Sequence, residues 1–168
     1  MMRKFAPVRW SLLAVLGLSL ALGACAKNPA DSDAINGAAY GAGAGPGSFQ
    51  EFSSSFGDRE FFETDQTDLT SQGEATLDKQ AQWLNRYSRY NFTVEGHADE
   101  RGTREYNFAL GSRRAENVKN YLVSKGVSAS RMKTISYGKE RPVAVCDDIS
   151  CWSQNRRAVT VLAGAPSS

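Results

Sequence analysis

Apolar and polar side chains alternate between residues 91 and 98: Phe92, Val94, Gly96 and Ala98 fall on one face, and Asn91, Thr93, Glu95 and His97 on the other. Period two with aromatic and β-branched residues predicts a strand, and the charged, glycine-ended run Asp99-Glu100-Arg101-Gly102 stops it. Thr103 is a good N-cap and Glu105 faces the positive helix end, so a helix is predicted from there to Lys125, with Gly126 as its C′ stop. Phe108, Ala115, Val118 and Leu122 form a core stripe on that helix, and Asn107, Leu110, Arg114 and Val118 an adjoining one. Asp99 thus stands at the carboxyl end of a strand, and Arg113 and Arg114 on the following helix, so an anion and a cation flank one cleft. Arg114 lies ~15 Å along the axis from Arg104, which requires either that the loop at Asp99 curls back or that a ligand bridges the distance.

The flanking sequence extends the pattern. F-Q-E-F-S-S-S-F and R-E-F-F-E, on either side of Gly57-Asp58, predict two short strands around a turn. The polar residues 63–69 form a loop, and Ser71 with Glu74 three positions later reads as a capping box. The helix behind it carries Leu77, Ala81 and Leu84 on one side, with Trp83 and Tyr87 beside them, and ends by Ser88. Arg131 to Tyr137 reads as a strand closed by Gly138 and Pro142, and Arg156 to Leu162 as the last strand. Two helices on one face of a mixed sheet of about four strands make an α+β, two-layer sandwich. The expected domain spans residues 49–163, with a tail at 164–168.

The first 48 residues have no place in that core. Residues 1–24 read as an export signal: Arg3, Lys4 and Arg9 precede an apolar run from Ser11 to Gly23, shorter than the ~20 residues of a membrane-spanning helix. The run ends in L-G-A-C, which resembles a lipobox; Cys25 would then be lipidated and become the mature N-terminus, the alternative being ordinary cleavage with Cys25 incidental. In lipoproteins of this kind Ala26, rather than Asp, favours the outer membrane. Residues 25–48, with G-A-A-Y-G-A-G-A-G-P-G, form a flexible tether with a reach of ~25 Å. Removing Arg3, Lys4 and Arg9 leaves 17 of the 20 basic residues against 18 acidic ones, so the formal charge of +2 becomes −1, and nucleic-acid binding loses its electrostatic support. Cys146 and Cys151 remain as an isolated pair, for which export favours a short disulfide loop over two free thiols.

N-F-A-L-G-S-R-R-A-E-N-V, residues 107–118, resembles the N-x-x-L-[S/G]-x-x-R-A-x-x-V signature of OmpA-like peptidoglycan-binding domains, and G-H-A-D-E-R-G-T before it is closest to the lipoprotein branch of that family. The resemblance covers roughly Gln50 to Leu162. It implies a βαβαββ sandwich that binds diaminopimelate of the cell-wall stem peptide, with no enzymatic step and no cofactor. By the same resemblance Asp99 and Arg114 clamp the zwitterionic end of diaminopimelate, and Phe62, Glu63, Thr64 and Asp65 line the pocket largely through backbone groups. F-F-E-T-D stands where relatives often show Y-F-D-x-D, which puts Glu63 in place of Asp. Asn107 and Leu110 match the signature's first half; Leu110 either lines the pocket or packs. TolB, and other Tol proteins, are the implied partners, in envelope integrity and cell division.

Two other readings compete. A wall-binding lipoprotein of another envelope assembly fits the same motifs. A wall hydrolase needs a nucleophile or metal constellation, and the single histidine, His97, has no third soft ligand in sight. His97 is expected to be a hydrogen-bonded structural residue. Asn155, Arg156 and Arg157 are expected to be structural polar anchors.

Overall fold

The computed structural model describes residues 45–164; the expected signal peptide, Cys25, most of the expected tether and the last four residues lie outside the described residues. A short helix α1 (Phe49–Glu51) runs into a wider helical turn (Phe52–Phe56) and is followed by β1 (Arg59–Phe61), α2 (Ser71–Arg86), β2 (Phe92–His97), α3 (Arg104–Ser124), β3 (Met132–Gly138), α4 (Ile149–Asn155) and β4 (Arg157–Leu162). The sheet order is β1-β4-β2-β3. β4 is antiparallel to both β1 and β2, and β2 is parallel to β3. The parallel step from β2 to β3 needs the long α3 crossover.

The core lies between the sheet and the long helices. Leu77, Ala81 and Leu84 of α2, and Ala115, Val118 and Leu122 of α3, pack with Phe92 and Val94 of β2. Phe108 departs from its expected place in the stripe: it is 56 % exposed. The buried face of α3 is instead centred on Asn107, Leu110, Gly111 and Arg114. Two glycines rotate the helix to that face. A Cβ on Gly96 would lie 1.8 Å from the Gly111 carbonyl oxygen, so α3 and β2 meet backbone to backbone there. Ser136 of β3 donates to the Phe108 carbonyl at 2.7 Å beside that contact.

Three local expectations are corrected. The first of the two N-terminal segments is helical rather than extended. Phe49, Phe52 and Phe56 are spaced by three and four residues, the Ser48 hydroxyl caps the turn by accepting from the Glu51 amide at 3.1 Å, and Phe52 packs on Trp83 with ring centroids 4.9 Å apart. The α2 cap is Thr70, not Ser71: its hydroxyl accepts from the Gly73 amide at 3.1 Å. The residues before β4 contain α4, a helix too short to announce itself by period, capped by Asp148. Cys146 and Cys151 at its start are bridged, with Cα atoms 5.6 Å apart.

One buried polar chain crosses the core. Thr160 donates to Gln80 at 2.9 Å, and Gln80 donates to Glu60 at 3.3 Å. Burial, and then the Asp58 carboxylate, push the Glu60 carboxyl up to about 8. Folding therefore prefers the protonated form. That stabilisation is complete below the unfolded value near 4.5 and is lost as pH rises through about 8. Across this window stability is expected to fall by up to about 1.4 kcal/mol per pH unit from this group. Glu60→Gln should flatten the slope. Urea unfolding of both proteins across the window checks this, and parallel pH profiles would contradict it.

Candidate functional site

Asp99 follows β2 directly, at the end of the sheet where the α3 crossover begins. Its carboxylate accepts from Arg101 Nε at 3.1 Å and Nη2 at 2.7 Å, a two-pronged pairing, and from the Arg101 amide at 3.2 Å. Arg156 Nη1 stands 3.5 Å from the same carboxylate. Burial alone would raise the carboxyl of Asp99, but the Arg101 hydrogen bonds and charge, helped by Arg156, outweigh it and hold it below its ordinary value. The site therefore keeps a charged carboxylate in a largely desolvated place.

The loop carrying Asp99 is held from three sides. Asn107 donates from its side-chain amide to the Arg101 carbonyl at 2.6 Å. Lys139 donates to the carbonyls of Glu100 and Gly102 at 3.0 and 2.7 Å. Trp152 of α4 donates its indole N–H to Glu100, and the Arg101 guanidinium lies 4.2 Å from the Trp152 ring centroid.

Arg114, placed by the sequence on the stripe adjoining the core, is fully buried, at 0 % exposed. Its guanidinium donates to three backbone carbonyls: Gln66 at 2.9 Å, His97 at 2.8 Å and Glu63 at 3.2 Å. It also stands 5.0 Å from the centroid of the Phe62 ring. Burial, and then the Arg156 charge, bring its pKa down to about 10, so it stays protonated at neutral pH. The expected ~15 Å separation along the helix is no obstacle, because β2 runs beside the middle of α3: with Gly96 against Gly111, the end of β2 lies within reach of Arg114.

Arg156 completes the frame. It donates from Nε to the Phe62 carbonyl, and the Phe62 amide donates to the Arg156 carbonyl, both at 2.9 Å. Phe62 is buried, while Glu63, Thr64 and Asp65 form an exposed rim, with Asp65 at φ 56°. The structure thus gathers Asp99, Arg114 and the Phe62–Asp65 loop. Asn107 and Leu110 are buried supports, and Arg113 is exposed on α3. Arg101 and Trp152 were missed by sequence reasoning, and Arg156 was taken only as an anchor. Arg101 was findable from its position two residues after Asp99, a spacing that allows a local side-chain pair; nothing local connects Trp152 to Glu100. Among the described residues neither ring nitrogen of His97 has a hydrogen-bond partner, contrary to the expected hydrogen-bonded histidine, and Nε2 lies 3.7 Å from a Glu95 oxygen.

The fold is a two-layer α+β domain, and the chain belongs to the OmpA family, whose model matches residues 61–156. Within that family it is similar over most of its length to proteins named peptidoglycan-associated lipoprotein. The one from Rhizobium meliloti (strain 1021) is 60% identical over 157 residues, covering 93% of this chain and 89% of that protein. The one from Agrobacterium fabrum is 63% identical over 150 residues, covering 88% and 85%. The crystal structure of the peptidoglycan-associated lipoprotein from Burkholderia pseudomallei superposes with a TM-score of 0.61 at 41% identity, covering 62% of this chain and 89% of that one.

Proposed function

We propose that this protein is a lipoprotein of the outer membrane that binds peptidoglycan non-covalently, anchoring the membrane to the wall as part of the Tol-Pal system, with TolB as its periplasmic partner. Lipid on Cys25 holds one end, and the site around Asp99 holds the other by recognising diaminopimelate of the stem peptide. The observation that carries the reading is one charged, mostly buried carboxylate set among the guanidiniums of Arg101, Arg114 and Arg156, in a family whose high-identity members are named for peptidoglycan association.

The free end of diaminopimelate carries an ammonium and a carboxylate. Asp99 takes the ammonium. The Arg101 side chain, 41% exposed, is the guanidinium a ligand reaches first; it is displaced from Asp99 towards the incoming carboxylate. Arg114 keeps its three backbone carbonyls and, fully buried, holds the loop in shape from behind and adds positive charge to the pocket, while Arg101 meets the carboxylate directly. Charge, shape and desolvation bind the ligand; no nucleophile or proton relay is involved, and the wall is held rather than cut.

Calorimetric titration with a stem peptide containing diaminopimelate tests this, with the lysine-containing peptide as control. Lysine lacks the terminal carboxylate and is expected to bind weakly. Asp99→Asn keeps the shape but removes the charge opposite the ammonium, and should lower affinity on the order of ten- to a hundredfold. Equal wild-type affinity for the two peptides would overturn the clamp. Fragments released from purified wall would return the hydrolase reading, and a pull-down from periplasm that fails to recover TolB would separate this chain from the Tol system.

A further inference from the structure

The face of the sheet opposite α2 and α3 carries a second cluster of charge that wall binding does not use. In the strand register Arg59 stands opposite Val159, Phe61 opposite Arg157, and Glu95 between Val159 and Ile135. Partners across strands point to the same side, so these side chains share one face. The residues after β3 bring Arg141 and Val143 to it. The result is a cleft of about 540 Å³ walled by Arg59, Arg141 and Arg157, with His97 in its lining.

Its buried polar atoms have bonding capacity to spare. The His97 side chain is 2 % exposed, and among the described residues neither of its ring nitrogens has a hydrogen-bond partner; Arg157 Nε is likewise buried and unpartnered among them. Buried polar atoms without partners are rare, and these three line one cleft.

Its charge is also unbalanced. Asp58 neutralises Arg59 at 2.9 Å, and Arg104 neutralises Glu140 at 3.1 Å. Among the described residues Arg157 donates to the carbonyls of Asn155 and Arg141, and Arg141 stands over the Tyr137 ring at 3.6 Å. Neither Arg141 nor Arg157 is ion-paired to a carboxylate among the described residues. His97 feels the resulting field: burial first, then Arg157, Arg141 and Arg59, bring its pKa down to about 3 and keep the ring neutral. Glu95, in the same lining, interacts with both Arg141 and Arg157, so one carboxylate stands against these two guanidiniums.

Guanidiniums of this kind pair with carboxylates in a planar, two-pronged geometry. The surroundings are apolar: Phe61, Ile135 and Val143 are all exposed. A peptide with alternating acidic and apolar side chains meets both features, whereas a sugar chain or free phosphate meets only the first. We propose that this cleft is a second binding site, which takes the carboxylate side chains of an extended acidic segment of a protein partner.

His97 is the single histidine of the chain, so its ring signals in NMR spectra of the full chain in detergent are assigned without ambiguity; because the His97 carbonyl also accepts from Arg114 of the wall site, a response is credited to the cleft only where Arg141→Ala removes it. The probes are a short peptide of alternating leucine and glutamate, its leucine–glutamine counterpart, inorganic phosphate and the diaminopimelate stem peptide. The glutamate peptide is expected to shift the His97 signals saturably, and to let the ring take up its proton at higher pH because bound carboxylates offset the cationic field. The glutamine peptide should do neither. Arg141 is exposed, so Arg141→Ala should fold; it should weaken the glutamate peptide on the order of tenfold and leave stem-peptide affinity at Asp99 unchanged. Silence of His97 towards the glutamate peptide, or unchanged peptide binding by Arg141→Ala, would overturn the proposal. An equal response to phosphate would reassign the cleft to small oxyanions, and a response to the stem peptide at His97 that Arg141→Ala removes would reassign it to the wall; either outcome overturns the protein partner.

Discussion

Arg114→Ala is expected to abolish wall binding and to lower stability by about 3–5 kcal/mol, the range for removing one member of a buried charged network. The substitution strips the hydrogen-bond donor from three carbonyls at once, those of Glu63, Gln66 and His97, and leaves the space of a fully buried side chain behind. The Phe62–Asp65 rim loses its tie to β2 and with it the shape of the pocket. Arg114→Lys retains a charge but has a single ammonium at the end of its stem, which cannot span three acceptors on two separate segments; it should fall between wild type and alanine in stability and closer to alanine in binding. Urea unfolding together with calorimetry separates the two effects. A wild-type unfolding midpoint for Arg114→Ala would mean that the guanidinium is not structural.

Gly96→Ala is expected to be comparably damaging although it adds one methyl group. That carbon would lie 1.8 Å from the Gly111 carbonyl oxygen and 2.6 Å from its carbonyl carbon. The obstacle is helix backbone, so no side-chain rotation relieves it, and α3 must move off β2. Overpacking of this kind costs about 3 kcal/mol or more. The same shift withdraws Arg114 from the His97 carbonyl, so stem-peptide affinity should fall with stability. Gly45→Ala is the control, since an added carbon there meets nothing within 4 Å, and its unfolding midpoint should match wild type. Matching midpoints for Gly96→Ala and Gly45→Ala would show that the two backbones are not in the close contact described.

The elements that repeat a simple period were legible from the chain alone. The alternation from Phe92 to Ala98 is a strand whose Phe92 and Val94 are buried, and the Thr103 cap and Gly126 stop bound α3 where expected. Period and caps act within a few residues, and the burial of one face is then enough to build the two layers. The N-terminal phenylalanines were misread because serines separate them and strand-forming types outweighed their helical spacing. Phe108 was misplaced because a stripe of apolar residues says which residues prefer burial, not which way the helix turns.

What the sequence by itself determined was therefore the order of the four sheet strands and the two long helices, the pairing of an Asp at a strand end with an Arg on the next helix, and the family motif that joins them. The tertiary structure decided which groups that Asp and that Arg actually meet. Arg101 and Arg156 hold Asp99, while Arg114 serves the carbonyls of two segments far apart in sequence. A guanidinium has five donors and will satisfy whichever acceptors packing brings near it when it is taken out of water. On this chain two glycines set that packing, because only at Gly96 and Gly111 can α3 approach β2 closely enough to bury an arginine against the strand's last carbonyl.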